Sequence, residues 1–447
     1  MANRGNWNSK LGFILAAAGS AVGLGNLWRF PYTAGNNGGG AFLICYLLSV
    51  LIIALPVLIA EITLGRYTQK NPVGAYMTIR DTWIWKGVGF LGVASGFMIL
   101  SFYSVVAGWT VGYFAKSISG HFHGITPDKA AEQFQAFAAN PWLQLLLISV
   151  FILLTIFVVA KGVSGGIEKY SKILMPMLLG ILMLMLVRSL TLEGAGEGIR
   201  FYLTPDFSKI SSKTIIAAMG QAFFSLSLGM GTMITYGSYL GKKEKIPASA
   251  GWVAGLDTLI AVIAGFIVFP ALFSQGMNPA DQGTGVMFNT LPVLFDKMPL
   301  GAVFGPLFFV LLSIAALTST ISILEVPVAY FIDQKGWERK KATWIIGGIA
   351  LVIGIPSALS NGAVPFFSKL PLVNTDFLSL WDFIWGNLSL SIGALMVAVF
   401  VGYIWKSRNA LTEIRNSSHF TLSPLWEILI KYVSPLLILI ILLSFFF

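Results

Sequence analysis

The chain is short of charge, of histidine and of cysteine, and each shortage removes a class of proteins. Charged residues fill 11% of its 447 positions and hydrophobic ones 56%, which leaves too little polar surface for a soluble globule. A single cysteine, Cys45, excludes a disulfide framework and a thiolate metal cluster. His121, His123 and His419 all fall between apolar runs. The His-x-His pair could bind a metal, but loop imidazoles are ordinarily just solvated. The net charge of +10 could suggest nucleic acid, yet the cations are spread over short loops on one face, where a membrane protein already needs them. No nucleic-acid or protein partner is implied, and lipid is.

What the chain has instead is apolar runs, consistent with a mean hydropathy of +0.79. A helix of about 20 apolar residues can cross a bilayer because it pairs its own backbone where no water is present. Such runs occupy 11–35, 41–65, 88–115, 142–160, 167–188, 214–239, 247–273, 300–332, 342–358, 380–405 and 424–446, an all-α polytopic membrane protein of eleven spans in one domain. The first run is too long for a cleaved leader and is expected to remain. Basic residues precede span one (Arg4, Lys10) and follow the even-numbered spans, for example Arg66, Lys161, Lys242, Arg339 and Arg408. This bias predicts a cytoplasmic amino terminus and, after eleven crossings, an external carboxyl terminus.

Two spans carry breaks. Span one contains Gly19, Gly23 and Gly25 around Ser20 and Asn26, and span six contains Ser225-Leu226-Ser227-Leu228-Gly229-Met230-Gly231. Glycines also suit close helix packing. The breaks lie five spans apart, however, and an odd block used twice is inverted, which predicts repeats at 11–188 and 214–405, with 424–446 as an additional helix. Broken helices at matching places in inverted halves mark a midplane site for a transported solute. Asp257 falls about ten residues into span seven, roughly 15 Å deep, where an ionised carboxylate needs a compensating cation or else a proton. The other polar atoms at that depth, on Asn26, Ser225, Ser227 and Thr318-Ser319-Thr320, are oxygens suited to a hard cation such as sodium, although hydroxyls also bond back to their own helix. A channel would need a filter repeated about an axis, and an enzyme would need a nucleophile–base pair; the sequence displays neither.

The stretches Gly19 to Pro31, Asn37 to Phe42, Gly220 to Ser227 and Ala315 to Ser319 resemble the signatures of the neurotransmitter:sodium symporters, over essentially the whole chain. Eleven spans, and the spacing from Gly166 to Pro176, are similar to bacterial members that carry hydrophobic amino acids. The resemblance implies the leucine-transporter fold and sodium-coupled import of hydrophobic L-amino acids, aliphatic to tryptophan, across a bacterial plasma membrane, with no enzymatic activity. It implies two sodium sites, the first using Ala21, Asn26, Ser225 and Asp257, the second Gly19, Val22, Ala315, Thr318 and Ser319. The substrate would meet Ala21, Leu24, Gly25, Ile99, Tyr103, Phe224, Ser225, Ser227, Met230, Ser319 and Ile323. Arg29 with Asp382 would form the outer charge pair, and Arg4 with Asp333 the inner one beside Trp7, Ser238 and Tyr239. Chloride-dependent members place Asn where this chain has Asp257 and serine where it has Ala261, so chloride is not expected. Substrate breadth is expected from Gly229 and Gly231, which would let the break shift, and from the adaptable Met230. Release is expected where Pro176 weakens span five, whose Glu168, Lys169, Tyr170, Ser171 and Lys172 are polar enough to meet water; a static proline kink is the alternative.

Overall fold

The computed structural model describes residues 5–277, 287–371 and 373–446. Among the described residues nine helices are long and apolar enough to cross a membrane: Gly40–Thr68, Trp83–Ile118, Pro141–Val159, Val163–Leu190, Ile246–Ser274, Gly301–Lys335, Arg339–Ala358, Phe377–Ile404 and Ser423–Leu443. A tenth crossing, span one, is the pair Lys10–Ala21 and Gly25–Asn36, bent by 53°. The run expected as span six is present as two shorter helices, Ser212–Ser225 and Thr232–Gly237. The fold is therefore all-α with spans one and six broken, and among the described residues it has no strand.

Each break follows from local chemistry. Ser9 caps the first half of span one by accepting from Gly12 N–H at 3.0 Å, and that half ends where Val22 turns to extended backbone. Gly23 and Leu24 then lead into a wide helical turn at Gly25–Arg29, a geometry that is rare and concentrated at functional sites. In span six the chain leaves the helix at Leu226 and passes through positive φ at Ser227, Gly229 and Gly231. A Cβ on Gly229 would lie 2.1 Å from the carbonyl oxygen of Leu390, and one on Gly231 would lie 2.5 Å from Pro72 Cγ. These glycines permit the close approach to span ten and to Pro72.

Spans one, three, six, seven and eight surround the breaks, and the long spans three and eight pack along one another. Large apolar side chains such as Leu51, Trp142, Leu184, Trp344 and Leu436 remain exposed around the perimeter. An apolar outside is the arrangement that lipid, rather than water, stabilises.

Candidate functional site

The broken backbone is held by side chains from other spans. Tyr103 of span three accepts a hydrogen bond from Leu24 N–H at 3.2 Å, Asn26 Oδ1 accepts from Gly23 N–H at 3.1 Å, and Gln221 donates to the Gly25 carbonyl at 3.0 Å. Ser227 in the second break donates to the Ser20 carbonyl in the first at 3.0 Å. The two breaks therefore touch, and buried groups that lost helical partners regain them.

Beside them Asn26, Ser225 and Asp257 form one cluster. The Asn26 amide nitrogen donates to Asp257 Oδ1 at 2.7 Å and to Ser225 Oγ at 3.0 Å, and Ser225 Oγ donates to the same carboxylate at 2.8 Å. Tyr46 is buried next to that carboxylate. A cation here would find carboxylate, hydroxyl and carbonyl oxygens, the donors a hard ion prefers, once the amide turned its oxygen inward. Asp257 is fully buried and faces no Lys or Arg within a salt bridge among the described residues.

The second group also assembles. Ser319 Oγ lies 3.2 Å from the Ala315 carbonyl and 3.4 Å from those of Ser20 and Val22, and Thr318 Oγ1 lies 3.0 Å from the Ala315 carbonyl. A Cβ on Gly19 would meet Thr318 Cβ and Met175 Sδ at 3.2 Å, so span five covers this group from its side. The two hydroxyls bond back to span eight as well as reaching span one, which is the ordinary habit of such residues in membrane helices.

A cavity of about 60 Å³ opens next to both groups. Ala21, Gly25, Ile99, Tyr103, Phe224, Ser225, Ser227, Met230, Ser319 and Ile323 line it as expected, while Leu24 meets it only through its bond to Tyr103. Phe102, Gly386 and Leu390 line it too, and nothing in the residue pattern of spans three and ten had singled them out. At its mouth Arg29 stacks over the Phe224 ring with its guanidinium 4.5 Å from the centroid. Asp382 folds back on its own span, accepting from Asn387 at 3.2 Å. Among the described residues these two charges make no direct ion pair, but they are near enough to act on one another electrostatically.

The opposite end is closed. The Trp7 indole donates to the Tyr236 carbonyl at 3.0 Å and packs edge-on against Tyr236 and Tyr239. Ser238 donates to the Thr235 carbonyl, and Asp333 accepts from both the backbone and the side chain of Asn71 at 2.9 and 2.8 Å. Arg4, expected opposite Asp333, lies outside the described residues. Gly166 sits in a wide turn at Val163–Glu168, and Pro176 sits within the helix that continues to Leu190.

Two buried acids were missed. Glu61 of span two accepts from Gly229 N–H at 2.7 Å and faces the amides of Met233 and Ile234 at the start of the second half of span six. Glu325 of span eight pairs with Arg339 at 2.7 Å and accepts from Tyr239 at 2.6 Å. The signal for both was an acid inside an apolar run, which lipid tolerates only when partnered. His123 reaches Asp296 at 3.4 Å and His121 reaches Ser119, but among the described residues no three metal-binding side chains meet.

Residues 4–129 and 132–447 match the profile of the sodium:neurotransmitter symporter family. The uncharacterized sodium-dependent transporter YhdH of Bacillus subtilis is 39% identical, over 98% of this chain and 97% of its own. An uncharacterized sodium-dependent transporter of Haemophilus influenzae is 36% identical over 99% and 98%. The crystal structure of MhsT in complex with L-phenylalanine superposes with a TM-score of 0.89 at 44% identity, covering 99% of both chains. With the breaks, the oxygen clusters and the cavity in one place, these likenesses establish that the chain is a membrane transporter belonging to the sodium:neurotransmitter symporter family.

Proposed function

We propose that the chain imports hydrophobic L-amino acids, aliphatic to tryptophan, together with sodium and without chloride, by alternating access across a bacterial plasma membrane. The observation that carries this reading is the two-sided cavity. Small and hydroxyl-bearing residues of the broken spans, Ala21, Gly25, Ser225 and Ser227, share its lining with the apolar Ile99, Phe224, Met230 and Ile323. A zwitterion fits with its charged end at the breaks, where helix termini favour charge, and its side chain among apolar groups. The likeness to MhsT, whose structure contains L-phenylalanine, supports a substrate of that kind.

In this reading Ala21, Asn26, Ser225 and Asp257 hold one sodium, and Gly19, Val22, Ala315, Thr318 and Ser319 a second. Asp257 supplies the fixed negative charge that an added anion would otherwise provide. Residues 11–188 and 214–405 act as inverted repeats, with the amino terminus cytoplasmic. Arg29 and Asp382 close over Phe224 and Tyr103 from outside. Inward release follows when the turn between Gly166 and Pro176 opens, because Met175 then leaves Gly19 and water can reach the second sodium. The deciding experiment is uptake of labelled leucine into proteoliposomes. Saturable uptake that needs an inward sodium gradient and persists in gluconate is expected; uptake driven equally by a proton gradient without sodium would refute the reading.

A further inference from the structure

Glu168, on the wide turn that opens span five, has a buried carboxylate with partners on two spans. Its Oε2 accepts from Asn8 N–H at 2.7 Å, and its Oε1 accepts from the Ser9 hydroxyl at 2.9 Å and from the Lys172 ammonium at 2.6 Å. Ser9 is also the cap of span one, so the negative charge stands at the positive end of the helix that runs up to the first break. The approach is close enough that a Cβ on Gly12 would lie 2.2 Å from Glu168 Oε1.

We propose that Glu168 is a positioning residue that makes the two movements of release a single event: departure of the first half of span one and opening of the span-five turn. The proposal rests on the release path between Gly166 and Pro176 read above. Further along, the two spans touch through apolar groups such as Met175 against Gly19, which can slide by degrees. Hydrogen bonds to a buried charge are short and directional, and they are lost together once the carboxylate moves. If span five opens first, Asn8 and Ser9 lose their acceptor; if span one lifts first, the carboxylate loses both neutral donors and keeps only Lys172. Either movement removes the contact that holds the other in place.

The test uses the full-length transporter with Cys45→Ser and one reporter cysteine at a time, at Ala16 in span one or Ser171 in span five, both buried. A membrane-impermeant maleimide is applied to inside-out vesicles with and without sodium and leucine, and correct folding is scored by sodium-dependent leucine binding. With Glu168 intact the two modification rates should rise and fall in constant ratio. In Glu168→Gln, which loses the charge, and in Gly12→Ala, which displaces the carboxylate from the span-one side, the ratio should shift by at least about 5-fold, the low end of usual coupling strengths. A purely structural role would change both rates by one factor and leave their ratio alone, and that result in either folded variant overturns the proposal. A Ser171 reporter that never reacts while Glu168 is intact overturns the release path instead, so the two failures are distinct.

Discussion

The carboxyl group of Glu61 accepts a hydrogen bond from Gly229 N–H at 2.7 Å, so span two places a buried acid against the break in span six. The amides of Met233 and Ile234 face the same group, and together they are the first turn of a helix whose positive end the carboxylate caps.

Glu61→Ala is therefore expected to abolish substrate binding. It leaves buried N–H groups without an acceptor, at about 1–3 kcal/mol each, and lets the second half of span six move. Glu61→Gln keeps an acceptor oxygen and loses only the charge–dipole part, about 0.3–1 kcal/mol, so it should bind more weakly but still melt cooperatively. Radioligand binding and thermal unfolding in detergent measure both, and an alanine variant that binds like the unsubstituted protein would contradict the role.

How much of this was legible in the sequence follows from what each feature depends on. The helical runs could be read because a bilayer demands long apolar segments, and the ends of the nine spanning helices and the bent first pair fall within a few residues of those runs. The breaks were legible because glycine and serine are poor helix formers at the centre of an apolar run. Glu61 was not, because an acid in an apolar run signals a partner without naming it, and Gly229 lies 168 residues away. Phe102, Gly386 and Leu390 look like any apolar span residues, and only the packing of spans three and ten brings them to the cavity. That Gly229 lies against span ten was not legible either, because the sequence does not reveal which span packs on it.

Asp257→Asn preserves shape and hydrogen bonding toward Asn26 and Ser225 but removes the charge. Opposite charges about 4 Å apart attract by about 4 kcal/mol at an effective dielectric constant near 20, so sodium affinity should fall at least ~10-fold in gluconate, with chloride restoring part of it. Sodium titrations of binding in the two anions check this. An Asn variant that is indifferent to both sodium and chloride would remove Asp257 from the ion site.

The apolar wall predicts selectivity. Leucine and tryptophan should compete with one another, whereas lysine and glutamate should compete at least ~100-fold less well, because a charged side chain would lose its hydration at a cost of several kcal/mol. Met230→Ala should weaken leucine by about 1–2 kcal/mol through lost contact, on the scale of a few buried methylenes. Tryptophan, which can fill the added space, should lose less. Competition binding that ranks lysine with leucine would mean the side chain points elsewhere.

Pro176 lies inside the helix Lys169–Leu190, where it cannot donate to the Lys172 carbonyl and its ring crowds that group. One residue before it, Met175 packs on Gly19, so this weakened turn also lies against the second oxygen group. A static kink would serve packing alone, and replacing proline would then alter stability without altering the transport cycle. If the turn must open, Pro176→Ala adds up to about 3 kcal/mol of helix preference to the closed form, and every 1.4 kcal/mol or so carried into the barrier slows release tenfold. Turnover should drop at least ~10-fold, while equilibrium leucine affinity in saturating sodium, measured on the closed form, should change little. A cysteine at Ser171 should lose its accessibility from the cytoplasmic side in step with turnover. Normal turnover together with unchanged Ser171 accessibility in the alanine variant would establish the static kink and rule out opening at this turn.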